Sequence, residues 1–303
     1  MAGPRVASPD RPASGPGLRS LTVRRPVAAF MVLVLGLGIP IFTVPAATGL
    51  PGEPFKLFVT YVVLLGASLL VTRVADGPGA VRRLLARILA WRFGVGRWAV
   101  ILLGMPVLTY GLAVVSGTFE RPDSGWLTVV GLYLFNTLVF GTLLLNLWEE
   151  TAWGGFAQSR LTARHGLLVG AVITAVPFAA IHLPLYFANG WTSSELAVSI
   201  AVLLGLAPVY RYLLGMHLLD TGGSVLAVGL QHSAWNASTD LDGVRGEWQS
   251  LAAVVLLTVL VAVSRRLWHP ETHALGVEAE EAEAASWGPW ADRSREPGGR
   301  RRG

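Results

Sequence analysis

Cysteine is absent from this 303-residue chain. A disulfide framework, thiol catalysis and cysteine-based metal centres are therefore excluded, and any bound metal would have to be held by His, Glu, Asp or Asn. Charge is scarce as well: Asp, Glu, Lys and Arg make up only 14% of the residues, against roughly 25% in an ordinary soluble domain. Lysine is nearly missing, since Lys56 is the only one and arginine supplies the other 23 of the 24 basic residues. There is no internal repeat, no Gly-rich phosphate loop and no stretch polar enough for a soluble domain. What fills the chain instead is apolar, with 52% hydrophobic residues and a mean hydropathy of +0.53. These are the proportions of an integral membrane protein.

Apolar runs of about 20 residues, long enough to cross a hydrocarbon core of roughly 30 Å, recur near 27–47, 55–75, 98–117, 126–148, 166–188, 195–213, 222–239 and 247–264. They predict an all-α, polytopic transmembrane helical bundle of about eight spans. The length of the first run and its place in the charge pattern favour a retained span over a cleaved signal. Placing both termini on the cytoplasmic side puts Arg5, Arg11, Arg19, Arg24 and Arg25 inside, as it does Arg73, Arg82, Arg83, Arg87, Arg92 and Arg97. Arg160, Arg164, Arg211, Arg265 and Arg266 fall inside too, and only Lys56, Arg121 and Arg245 fall outside. That asymmetry is the one expected of cytoplasmic loops.

The same asymmetry explains the net charge of +5. The arginines flank spans instead of forming one basic soluble face, so the expected partner is the lipid bilayer and not nucleic acid. The strong arginine bias, with abundant Ala, Gly and Val, points to GC-rich coding DNA and a multi-pass protein of a bacterial cell membrane.

The expected organisation is a disordered basic tail over 1–25, N-terminal transmembrane helices over 26–124, a motif-bearing core over 125–240, a last transmembrane helix over 241–268 and a disordered tail over 269–303. Near 78–93, Val81, Leu84, Leu85, Ile88 and Leu89 recur at helical spacing beside Arg82, Arg83 and Arg87. That pattern predicts an interfacial helix lying on the membrane surface.

Three polar clusters interrupt the apolar core: Glu149-Glu150, Phe178-x-x-x-His182 and His232-x-x-x-Asn236. Carboxylates, imidazoles and amides are costly in lipid and mark function there. On a helix His232 and Asn236 share one face a turn apart, as do Phe178 and His182. Adjacent Glu149 and Glu150 point about 100° apart, so they play unlike roles, one facing a central water and the other supporting it. A carboxylate desolvated among Leu, Trp and Ala suits a general base that takes a proton from water. Taken singly, each cluster also has a bland reading as an interfacial charge or a packing hydrogen bond. Their occurrence on three separate spans favours a shared site.

The stretches Trp148-Glu149-Glu150-Thr151-Ala152-Trp153, Phe178-Ala179-Ala180-Ile181-His182 and Gln231-His232-Ser233-Ala234-Trp235-Asn236 resemble the three signatures of the CPBP (Abi) intramembrane proteases. That family includes the type II CAAX prenyl endopeptidases and bacterial proteins linked to bacteriocin processing or self-immunity. The resemblance covers roughly 125–240. It implies an endopeptidase with Glu149 as general base, Glu150 in support, His182 as the second-motif histidine, and His232 with Asn236 binding water and stabilising the oxyanion.

No cofactor is certain. A zinc ion held by His182, His232 and Glu149 is left open, although no zincin-type pair of histidines on one helix is present. The implied partner is a peptide or protein substrate, membrane-associated in the family. One departure stands out: the family's first motif carries arginine four residues after its second glutamate, and here that position is Gly154. Glu150 then lacks its local countercharge, and Arg160 would substitute only if the chain bends. Two rival readings remain, a noncatalytic membrane partner or immunity factor and a proton-coupled transporter with a polar path to both faces.

Overall fold

A computed structural model describes residues 18–187 and 192–268. The tail expected over 269–303, and residues 1–17 of the other, lie outside the described residues. Ten helices account for the rest: α1 (Leu18–Arg24), α2 (Pro26–Thr48), α3 (Glu53–Asp76), α4 (Pro78–Ala86), α5 (Val95–Val115), α6 (Trp126–His165), α7 (Leu167–Phe187), α8 (Ser193–Asp220), α9 (Val225–Ser238) and α10 (Trp248–Trp268). The all-α polytopic bundle is as expected, and among the described residues the only β-type pairing is an isolated bridge between Phe119 and Val244. The N-terminal tail expected over 1–25 is in part a helix. Residues 18–24 are helical and pack against α3, and Pro26 at the first position of α2 separates the two helices.

Among the described residues seven helices are long and apolar enough to cross a membrane, which makes this a multi-pass membrane protein. The run expected as an eighth span, 222–239, forms only the 14-residue α9, roughly 21 Å long and short of the hydrocarbon thickness. Its two ends nonetheless reach opposite ends of the bundle. Before α9, Ser224 Oγ donates to Ala90 O, just ahead of α5. After it, Asp242 receives hydrogen bonds from Ser124, and its carbonyl receives one from Tyr110 Oη near the far end of α5. The segment beyond α9 is closed by Glu120 N donating to Gly243 O and Arg245 N to Thr118 O. Gly243 has φ +86°, and a Cβ there would sit 2.5 Å from Glu120 O, so only glycine fits this turn.

The ends of the described chain lie at one and the same end of the bundle. Arg25 shares a cavity with Asp76, Arg160 and Arg164, and Arg265 pairs with Asp220 at 2.9 Å. Arg87 ties these regions together by donating to Gly155 O, Ser159 Oγ and Gly223 O. Arg25, Arg87, Arg160, Arg164 and Arg265, assigned to one side by the sequence, therefore do collect at one end, and one assigned arginine does not. Arg211 is not a flanking charge, because α8 continues to Asp220 and buries Arg211 completely.

The helix expected to lie on the membrane surface is shorter than drawn, α4 followed by a 3₁₀ turn over Arg87–Leu89. It docks on the bundle end: Leu84 is buried and packs over Gly155, and Arg87 turns inward. Burial and the nearby Arg160 charge pull the Arg87 guanidinium down to about 9, which still leaves it charged at neutral pH.

Two apolar clusters make most of the core. One joins α2, α3, α6 and α7 through Phe30, Trp153, Phe156 and Phe178, and the other joins α5, α8, α9 and α10 through Met105, Leu214, Val228 and Leu257. The long helix α6 passes between them. At 40 residues it measures roughly 60 Å if wholly α-helical, about twice the hydrocarbon core, so the span expected over 126–148 is the first part of a longer element. Because Arg87 satisfies two buried backbone carbonyls with charge-assisted bonds of ~1.5–3 kcal/mol each, Arg87→Leu is expected to lower the melting temperature in detergent markedly. Arg92→Leu, an exposed neighbour, is expected to leave it unchanged.

Candidate active site

Glu149 and Glu150 occupy a four-residue α-helical stretch of α6, Leu147–Glu150, between two wider π-helical stretches, Phe135–Asn146 and Thr151–Gln158. Side chains bond carbonyls five residues back in both: Trp148 Nε1 donates to Leu143 O and Ser159 Oγ to Gly154 O. Such widened turns frequently accompany functional positions. The two glutamates diverge as expected. Glu149 keeps 13% of its side chain exposed and faces His182, whereas Glu150 is wholly buried.

His182 lies on α7 one turn before the helix ends. Its Nδ1 sits 2.6 Å from Phe178 O, a carbonyl that can only accept, so Nδ1 carries the proton and Nε2 faces outward. Nε2 is 3.9 Å from Glu149 Oε1, too long for a direct hydrogen bond yet short enough for one water to bond both. His232 is brought in by close packing of α9 on α6. Ser233 Oγ lies 2.9 Å from Thr142 Oγ1 and accepts from Asn146 Nδ2 at 3.0 Å, and a Cβ on Gly141 would sit 2.7 Å from Ser233 Cβ. His232 Nδ1 then reaches Glu150 Oε1 at 3.0 Å.

Phe178 holds the two imidazoles together, its ring centroid 4.7 Å from His182 and 6.3 Å from His232. Behind it, Trp153 meets Phe178 edge-on at 5.8 Å and Phe30 at 5.6 Å. Asn236 sits one turn beyond His232 and is exposed, making no side-chain hydrogen bond to the described residues. The three motifs therefore converge: both carboxylates and both imidazoles meet, and Asn236 stands at the edge.

The missing countercharge comes from elsewhere. Arg211 Nη1 lies 2.8 and 3.0 Å from the two Glu150 oxygens. Arg211 Nε donates to Gln158 Oε1 at 2.9 Å, and Gln158 Nε2 returns a bond to Arg211 O. Arg160, weighed as a substitute, is 2.7 Å from Asp76 and stacks over Phe156. Arg211, Gln158 and Tyr210 escaped the motif reading. Arg211 did leave a signal, an arginine flanked by apolar residues inside a span. Tyr210 left none. Its buried ring lies 5.4 Å from His232, and its hydroxyl has no hydrogen-bond partner among the described residues.

A zinc ion, left open by the sequence, has no ready-made ligand set here. Among the described residues no group of three or more His, Cys, Asp or Glu side chains is placed to hold a metal ion, and His232 spends Nδ1 on Glu150. What the arrangement can do is hold a water between a partly exposed carboxylate and an imidazole, beside a second imidazole braced by a buried ion pair.

Removing one member of a buried ion pair strands the other, at a cost of about 3–5 kcal/mol. Glu150→Leu is thus expected to destabilise the protein strongly in detergent thermal melts. Glu149→Gln, which strands no ion, is expected to melt within a few degrees of the native chain.

Residues 131–238, which contain all three motifs, match the family model described as Type II CAAX prenyl endopeptidase Rce1-like. No curated protein matches the chain.

Proposed function

We propose that this chain, whose residues 131–238 match the CAAX-type family model, is an intramembrane endopeptidase in which Glu149 activates a water against a peptide bond. The observation that carries this reading is the Glu149–His182 pair, 3.9 Å apart and partly open, with the second glutamate buried behind it. Water held between Glu149 Oε1 and His182 Nε2 gives one proton to Glu149 as its oxygen attacks the scissile carbonyl. Glu149 then returns that proton to the leaving amine as the C–N bond breaks.

The Asn236 amide donates to the oxyanion. His232 does so when Nε2 is protonated, with Glu150 as countercharge at Nδ1 in the manner of a carboxylate–imidazole pair. No step needs a metal. Gly154 does not by itself argue for an inactive relative, because Glu150 has Arg211 at 2.8 Å. The substrate is a peptide or protein associated with the membrane. The end of the bundle that gathers Arg25, Arg87, Arg160 and Arg265 faces the cytoplasm, in a cell membrane. Glu149 and Glu150 then lie roughly 15 Å inward from Arg160 along α6, at 1.5 Å per residue.

The test is cleavage of a quenched peptide library by the purified chain in nanodiscs. Glu149→Gln is expected to lose about 10²–10⁴-fold in rate, the usual worth of a general base, and Asn236→Ala about 10²–10³-fold in kcat. Chelator is expected to leave the rate unchanged. Cleavage that survives Glu149→Gln would refute the peptidase mechanism, and a rate abolished by chelator and restored by zinc would replace it with a metal-dependent one.

A further inference from the structure

Glu150 takes no part in holding the attacking water, yet it sits in the most elaborately built corner of the molecule. Its carboxylate meets a guanidinium from a facing helix, 61 residues on in the chain. Both helices make room for that meeting in the same way. One turn beyond Glu150, a Cβ on Gly154 would come 2.9 Å from Glu150 Oε2; one turn beyond Arg211, a Cβ on Gly215 would run into Leu167 Cδ1 and come 2.5 Å from Gln158 Nε2, the side chain that holds the rest of the Arg211 fork. The i+4 position, where a helix ordinarily supplies its own countercharge, is vacated on each side, and the pair forms across the gap. Arg211 is wholly buried and fully engaged: Nη1 on Glu150, Nε and Nη2 on Gln158, its plane 5.4 Å from the Phe178 ring.

The consequence reaches His232. Glu150 Oε1, which accepts from Arg211 Nη1 at 2.8 Å, also faces His232 Nδ1 at 3.0 Å. An ionised carboxylate can only accept, so the proton at that contact belongs to Nδ1. Nε2 is then the nitrogen turned to the reaction. We propose that Arg211 is a positioning residue: by keeping Glu150 ionised from across the bundle it fixes the protonation and orientation of His232. Gly154 and Gly215 are the two openings that let it reach. A neutral Glu150 carries a proton of its own, can donate it to Nδ1, and so removes the countercharge under which His232 holds protons on both nitrogens and donates through Nε2. The kinetic part of this inference rests on the peptidase reading; the spectroscopic part does not.

Two measurements on the full chain in nanodiscs test it. With ¹⁵N-labelled histidine, and the His232 signals assigned by their loss in His232→Gln, the native chain is expected to show a protonated Nδ1 at neutral pH. Arg211→Leu is expected to lose that signature. Arg211→Lys keeps a charge but loses the two-pronged fork, and is expected to retain a weakened form with its pH dependence moved. In the peptide assay Arg211→Leu should lower kcat about 10–100-fold, the usual effect of a residue that orients a ligating or reacting histidine, with KM little changed, and Arg211→Lys should recover part of the loss.

Moving the charge gives the sharpest arm. Gly154→Arg combined with Arg211→Leu returns the cation to the helix of Glu150, and is expected to restore the Nδ1 signature over Arg211→Leu alone. If Arg211→Leu does not fold, the comparison of Arg211→Lys with the native chain decides. A His232 signature and pH profile identical in the native chain and Arg211→Lys, or unchanged in a folded Arg211→Leu, would overturn the assignment. If the native chain cleaves nothing, the peptidase reading falls while the histidine spectra still decide the role of Arg211.

Discussion

The Glu150–Arg211 pair is the constraint around which the middle of this protein is arranged. Neither ion can be left alone away from water, and the pair tolerates burial only with good geometry and its remaining bonds satisfied. Both conditions are met, with 2.8 and 3.0 Å contacts to the carboxylate and Gln158 occupying the rest of the fork. The pair also joins the two apolar clusters. α6 carries Glu150, Gln158 and the Trp153–Phe156 side of one cluster; α8 carries Arg211 and the Tyr210–Leu214 side of the other. A shift of α8 relative to α6 would break the ion pair and loosen His232 at the same time.

Around this pair the packing is arranged by small residues and by widened helix turns. Gly141 lets α9 approach α6 at Ser233, and Gly229 lets it approach at Leu147, where a Cβ would sit 3.0 Å from the Leu147 Cα. Without lipid-excluding hydrophobic force between helices, such close approach and interhelical hydrogen bonds are what hold a membrane bundle together. On the other side the aromatic run from Phe30 through Trp153 to Phe178 fills the space behind the imidazoles. The site is therefore rigid at the back and partly open at Glu149 and His182, an asymmetry that suits one carboxylate for support and the other for chemistry.

Much of the fold could be read from the chain because the bilayer allows few solutions. Runs of apolar residues must be helices, and arginines sort to one side. The apolar run 222–239 does not become an eighth spanning helix: it contributes only the short α9, followed by the loop that closes on Glu120 and Thr118. The amphipathic helix near 78–93 was legible in its periodicity and misread in its placement, since periodicity cannot tell a lipid surface from the end of a bundle, and Arg87 found carbonyls instead of headgroups. Arg211 was counted among the flanking charges because local sequence marks an arginine's presence in a span and says nothing of what it faces.

By itself the sequence determined the solvent, the helical class and the chemical inventory: two adjacent carboxylates, two histidines one turn from Phe178 and Asn236 respectively, and no thiol. It could do so because hydropathy and i, i+4 spacing are local properties of a chain. Only the tertiary structure decided which glutamate is buried and what neutralises it, since the partner of Glu150 lies on another helix and reaches it through space left by Gly154 and Gly215. Contacts between distant segments depend on how helices cross, and crossing is set by the packing of whole surfaces rather than by any short stretch of residues.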